Sequence, residues 1–178
     1  MRLLKTMLVL ATMSLAAAPL LAEDPPASAP AKIEVIDFRK LKEVIPETLG
    51  GLKRGELTGE KNSFGEFAMS LANAEFGEGD KTISLQIMDY GSNNPMLAMV
   101  GQMGAIQIDR ETETGYEKSV KIEGNPGMER YDNTDKSGGL TLFVAGRFVI
   151  ELDTNGLTKE ELREVIGQLP VAKVAALK

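Results

Sequence analysis

The stretch EFAMSLANAEFGEGDKTISLQIMDY, residues 66–90, predicts two antiparallel β-strands and thereby points to the fold class. In its first half, apolar and other side chains alternate so that Phe67, Met69 and Leu71 share one face. The second half alternates again from Ile83 onwards. A period of two is typical of strands, and the polar residues GEGDK between the halves favour a tight turn. We therefore expect a β-hairpin here.

Further strands are expected on both sides of this hairpin. LTLFV and RFVIEL form a second hairpin around Ala145 and Gly146, and LKRGELTGE forms a strand after the turn at residues 49–51. YEKSVKIE and GMERYDN are expected to be two more strands, joined by a turn at residues 125–127. Strands joined by short turns indicate an antiparallel sheet.

Helices are expected at three places. Asp37 is the expected N-cap for FRKLKEVI, and Asn94 precedes a proline that favours a helix continuing to about Ile106. Thr158 and Glu161 have the spacing of a capping box at the start of TKEELREVIGQL. This last helix should pack on the sheet through one apolar stripe: Leu162, Val165, Ile166 and Leu169.

These elements predict a single α+β domain over residues 32–178. Its core would be an antiparallel sheet of six to seven strands covered by two to three helices. Residues 23–31, EDPPASAPA, have the composition of a disordered tether rich in proline, alanine and serine.

Residues 1–22 have the features of a signal peptide. Arg2 and Lys5 precede an uncharged apolar run, and small residues lead to an expected cleavage after Ala22. Pro19 interrupts the run, which is shorter than the ~20 residues that a spanning helix needs. We expect a periplasmic or secreted bacterial protein that is not inserted in a membrane after the signal is removed.

Composition excludes several classes of function. The chain has no histidine and no cysteine, which rules out Ser-His and Cys-His nucleophilic pairs and the usual zinc ligands. Its net charge is −6, and loss of the two positive charges in the signal would make it −8. An acidic surface argues against nucleic acid as a partner. No cofactor is indicated.

Carboxylates are the remaining candidates for catalysis or metal binding. Asp109, Glu111, Glu113 and Glu117 cluster around an expected loop, and a carboxylate-based hydrolase would need a facing pair among such residues.

A second set of carboxylates imitates a calcium-binding loop. Glu151, Asp153, Asn155 and Gly156 have the spacing of its first half, but Leu162 stands where a bidentate glutamate is required. A plain turn from strand to helix is the favoured interpretation.

The sequence MLAMVGQM is the most unusual stretch of the chain. From Tyr90 to Ile108 there is no charged residue, although 26% of the chain is charged. On a helix the three methionines would share one face. The candidate contact residues for a partner or ligand are Met96, Leu97, Met99, Val100 and Met103.

Three interpretations of these methionines remain open. They can fill the core against a sheet, form an adaptable face for a protein partner or small apolar ligand, or bind Cu(I) through thioethers. Met96 and Met103 would lie two helical turns apart, about 10 Å, which is too far for one ion to gather all three sulfurs. The leading hypothesis is an exported, non-enzymatic binding or protein-interaction domain. A periplasmic Cu(I)-binding protein and a carboxylate-based hydrolase are the alternatives.

The order of elements, together with the phrases YEKSVKIEG and GRFVIEL, resembles a family of small exported bacterial proteins. The resemblance spans most of the chain after the signal. It implies an exported α+β domain, and it identifies no functional residue.

Overall fold

Within residues 34–64, 67–91 and 107–177, which the computed structural model describes (Phe64 by its backbone alone), the chain forms one antiparallel sheet of nine strands. The strands are β1 (Thr48–Leu49), β2 (Leu52–Phe64), β3 (Phe67–Glu78), β4 (Lys81–Asp89), β5 (Asp109–Glu111), β6 (Gly115–Ile122), β7 (Asn125–Asp132), β8 (Ser137–Val144) and β9 (Phe148–Asn155). Their order across the sheet is β1-β2-β3-β4-β9-β8-β7-β6-β5.

The sheet consists of two meanders that meet at its centre. Strands β1 to β4 follow one another across one half, and β5 to β9 follow one another from the opposite edge back to β4. At the junction, Leu85 lies opposite Leu152 and Ile87 opposite Ile150. The last strand of the chain therefore completes the middle of the sheet.

Three short helical segments pack on one face of the sheet, which we call the covered face. They are α1 (Phe38–Val44), α2 (Lys159–Ile166) and the five-residue α3 (Val171–Ala175). The first contacts β2 and β3, and the other two contact β8. The sheet contributes these fully or almost fully buried side chains to the core: Ala72, Ala74, Phe76, Ile83, Leu85, Ile87, Leu140, Leu142, Val144, Phe148, Ile150 and Leu152. None of the described helices is both long and apolar enough to cross a bilayer.

The predicted caps of α1 and α2 are confirmed. Asp37 accepts a hydrogen bond from the backbone N–H of Arg39 at 2.8 Å. Thr158 and Glu161 form a reciprocal capping box, in which each side chain accepts from the other residue's backbone N–H. These side chains satisfy donors that a helix start leaves without partners.

The predicted fold class is wrong. The described part of the chain is mostly β, with nine strands in place of six to seven, and its helices are short segments in place of the layer expected for an α+β domain. Two strands were missed, β1 and β5, which have two and three residues and lie at the edges of the sheet. So few residues cannot show a period of two, and pairing with a neighbour alone makes them strands.

The hairpins are placed mainly as predicted, with one shift. The β3–β4 and β8–β9 hairpins are confirmed. The β6–β7 turn lies at Glu123 and Gly124, before the predicted position, because these two residues adopt φ of +49° and +83°. Positive φ at both central residues is what a two-residue hairpin turn favours. Pro126 lies inside β7, before its pairing with β8 begins at Gly127.

A glycine lets α2 approach the sheet closely. Gly138 of β8 lies on the covered face, where an added Cβ would be 2.6 Å from Cδ2 of Leu162 and 3.0 Å from the ring of Tyr131. Leu162 is fully buried there. Any larger residue at position 138 would push the helix away from the sheet.

Candidate functional site

The predicted contact residues Met96, Leu97, Met99, Val100 and Met103 lie outside the described residues, as do the expected helix from Asn94, the signal peptide and the tether. The described chain stops at Gly91 and resumes at Gln107. The described residues on both sides of this gap are hydrogen-bonded to side chains of the sheet. Gly91 N–H donates to Asp89 Oδ1 at 2.8 Å, and Ile108 N–H donates to Ser119 Oγ at 2.9 Å.

The sheet face opposite the described helices, which we call the open face, is the candidate binding surface. Its side chains form rows that run across the strands, because directly paired residues of antiparallel strands point to the same face. One row is apolar and consists of consecutive cross-strand partners: Leu71, Met88, Val149 and Phe143. We call it the apolar row. A cavity of about 110 Å³ extends it toward Met128 and Pro126.

The apolar row is well packed at its centre. Met88 and Val149 are only 7% and 5% exposed, whereas Leu71 and Phe143 are half-buried. Tyr90 donates its hydroxyl hydrogen to the sulfur of Met88 at 3.3 Å. The sulfur of Met88 therefore has a hydrogen-bond partner within the sheet.

A central row runs beside the apolar row and is almost free of charge. Its members are Asn73, Gln86, Glu151, Thr141 and Met128. Glu151 is the one ionisable side chain among these five. It is half-buried and has no hydrogen-bond or ion-pair partner in the described part of the chain. Burial raises the pKa of Glu151, and the nearby charge of Asp153 raises it further.

A charged row lies beyond the central row, and its residues are mostly paired with one another. It includes Glu75, Ser84, Asp153, Gly139 and Arg130. Arg130 donates to Asp153 across β8, over Gly139, where an added Cβ would lie 3.1 Å from both side chains. Ser84 donates to Glu75 at 2.8 Å. Opposite charges therefore meet within this row, in contrast to the isolated carboxylate of Glu151.

The carboxylates proposed for a hydrolase do not form a facing pair. Asp109 and Glu111 are exposed in the edge strand β5, and Glu113 lies in the turn that follows. Glu117 lies in β6, directly between Arg110 and Arg130 of its neighbouring strands. Within the described residues, no group of three or more acidic side chains could hold a metal ion.

The residues that resemble a calcium-binding loop form the end of a strand and the turn after it, as the favoured interpretation predicted. Glu151, Asp153 and Asn155 belong to β9, and Gly156 turns the chain toward α2 with φ of +74°.

The covered face carries a second cluster of ionisable groups around a buried glutamate. Tyr116 donates its hydroxyl hydrogen to Glu129, which is 6% exposed, and Lys118 Nζ lies 3.5 Å from the same carboxylate. Burial raises the pKa of Tyr116, and the hydrogen bond to Glu129 raises it further. Tyr116 therefore stays protonated and acts as a hydrogen-bond donor. Glu129 has its charge compensated locally, so this cluster is explained by packing.

The sequence contained part of the signal for the open face. Phe67, Met69 and Leu71 were correctly assigned to one face of β3, and that face is the open one. The core face of the strand carries mainly smaller side chains: Ser70, Ala72, Ala74 and Phe76. Glu151 and Val149 could not be recognised as site residues, because their neighbours belong to strands far apart in the sequence.

No family model matches the chain, and neither a curated protein nor a solved structure was found to be similar to it.

Proposed function

We propose that the protein is an exported, non-enzymatic binding domain that contacts a protein segment or a small apolar ligand through the open face. The observation that carries this proposal is the apolar row, which runs across four neighbouring strands on the face away from the described helices. Leu71 and Phe143, at the half-buried ends of this row, are the apolar side chains that a ligand can reach, and accessible apolar side chains of this kind are typical of an interaction surface.

The methionine-rich stretch belongs to the same proposal. Gly91, where the described chain stops, follows closely on Met88 of the apolar row, and Ile108 is bound to Ser119, next to Met128 of the central row. Met96, Leu97, Met99, Val100 and Met103 remain proposed contact residues on the strength of their uncharged, adaptable side chains.

The state of the described ionisable groups supports binding over catalysis. The carboxylates of Asp89, Glu129 and Asp153 are each engaged by a cation. General acid–base chemistry needs a pair of groups with separated pKa values facing one substrate position. These three engaged carboxylates are therefore not candidates for such a pair.

The test is a titration of the isotope-labelled full chain with a neutral amphipathic peptide, 14 residues of leucine and glutamine, followed by NMR. We expect chemical-shift changes at the backbone amides of Leu71, Met88, Phe143 and Val149. Phe143→Asp should remove these changes, and Ala172→Asp, an exposed position on α3 away from the open face, should preserve them. Urea unfolding of both variants would establish that each is folded. Changes confined to the covered face, or no changes at all, would refute the proposed function.

A further inference from the structure

A half-buried carboxylate lies beside the apolar row of the open face. Glu151 lies two residues after Val149 on the same strand, so its side chain is displaced from the apolar row by about 7 Å along β9. Its direct cross-strand neighbours are Gln86 and Thr141, which are neutral. A ligand that contacts Phe143 at one end of the apolar row would thus meet the negative charge of Glu151 at its side, whereas the carboxylate beside Leu71 at the other end, Glu60, is exposed.

The other acidic side chains of this face are exposed, lie beside arginine or accept hydrogen bonds. Asp153 is paired with Arg130, Glu117 lies between two arginines, and Glu75 accepts a hydrogen bond from Ser84. Glu151 has no such partner within the described residues, although it is half-buried at the centre of the sheet. A half-buried carboxylate without a partner is costly, so its negative charge is available to an incoming cation.

We infer that the open face is selective for a cationic amphipathic peptide segment, whose apolar side chains contact Leu71 and Phe143 at the half-buried ends of the apolar row and whose ammonium or guanidinium group pairs with Glu151. This inference rests on the proposed function and adds the chemical class of the partner. The charge of the whole chain, −6, also favours a cationic partner and would speed its approach. A lysine or arginine stem can lie along the apolar surface while its charged end reaches the carboxylate.

The probes for this inference are three peptides with one apolar pattern: leucine with lysine, leucine with glutamine, and leucine with glutamate. Their Kd values for the full chain are measured by calorimetry at neutral pH. We expect the lysine peptide to bind about tenfold more tightly than the glutamine peptide, because a hydrogen bond to a charged group stabilises more than a neutral one. The glutamate peptide should bind most weakly.

Glu151→Gln separates this inference from the proposed function. The variant should bind the lysine and glutamine peptides almost equally, while its affinity for the glutamine peptide stays near that of the wild type. Glu43→Gln, which removes one charge from an exposed position on α1, is the matched control and should keep the tenfold preference. If both variants keep the preference, the attraction comes from overall charge and the role of Glu151 is refuted.

Two further outcomes would refute the proposed function or the peptide inference. If the glutamine peptide binds to neither protein, the proposed function fails together with the inference. If sedimentation shows that the free protein is a dimer, and Phe143→Asp makes it monomeric, the open face is occupied by a second copy and the peptide inference is overturned. A monomer with the lysine preference dependent on Glu151 supports the inference.

Discussion

Arg147 donates hydrogen bonds from Nε and Nη2 to the two carboxylate oxygens of Asp89, both at 2.7 Å. Asp89 is fully buried and also accepts from the backbone N–H groups of Ile36 and Gly91. Arg147 Nη2 donates in addition to the carbonyl of Glu34 at 2.9 Å. One ion pair therefore fixes two points of the chain, the start of the described N-terminal segment and the end of β4.

Removing one partner of this ion pair should destabilise the protein strongly. Arg147→Ala leaves the carboxylate of Asp89 buried without its cation, and breaking such a pair costs about 3–5 kcal/mol. Urea unfolding monitored by circular dichroism measures the loss. Arg130→Ala is the control, since Arg130 and Asp153 are both more than half exposed and their pair should contribute less than about 1 kcal/mol. Equal losses in the two variants would contradict the assignment.

Glu151→Gln should stabilise the free protein at neutral pH. Folding raises the pKa of Glu151, so the charged form is disfavoured in the folded state relative to the unfolded chain. The resulting loss of stability develops as pH rises from the ordinary glutamate value of 4.5 through the raised folded value, and it persists above that range. The gain from the substitution should therefore be present at pH 7 and small at pH 4. A gain of the same size at both pH values would show that charge is not its cause.

Gly138→Ala should cost about 1–3 kcal/mol, because the new methyl group would overlap Leu162 at the contact between β8 and α2. Leu162→Ala alone should cost about 2–5 kcal/mol by leaving a cavity. In the double variant the methyl group added at position 138 partly fills that cavity, so the two losses should sum to more than the measured total. Thermal unfolding of the four proteins gives this comparison, and strictly additive losses would refute the contact.

Thr158→Ala should destabilise the protein by about 1 kcal/mol, since it removes the side-chain acceptor at the start of α2. Thr158→Ser keeps the hydroxyl oxygen and should remain close to the wild type. The midpoint of thermal unfolding distinguishes the two. A loss of similar size in both variants would indicate that the methyl group of Thr158, and not its hydrogen bond, is responsible.

The sequence predicted the local elements well, since they depend on neighbouring residues. The β3–β4 hairpin follows from alternation and a polar turn, and the capping box follows from Thr158 and Glu161 three residues apart. Pairing between β4 and β9 has no such local pattern. It brings Asp89 within reach of Arg147, although the two are 58 residues apart. The edge strands β1 and β5 likewise depend on a partner and not on their own residues.

The candidate site was predictable to a smaller extent. The sequence identified the uncharged methionine-rich stretch, but those residues lie outside the described part of the chain. In the sequence, Glu151 was noted only as part of a calcium-loop pattern that lacks its required glutamate. The isolation of this carboxylate between Gln86 and Thr141 depends on the register of three strands, which a one-residue slip would reverse.

The junction of the two meanders also determines how the chain can fold. Until residues 148–155 are available, β4 is an unprotected outer strand with apolar side chains at Ile83, Leu85 and Ile87. Forming its missing ladder requires closure of a long loop, so folding should take about milliseconds to seconds, as in other proteins dominated by non-local strand pairing. A nascent or truncated chain without β9 would expose a template for intermolecular pairing. The C-terminal strand thus protects the N-terminal half from aggregation.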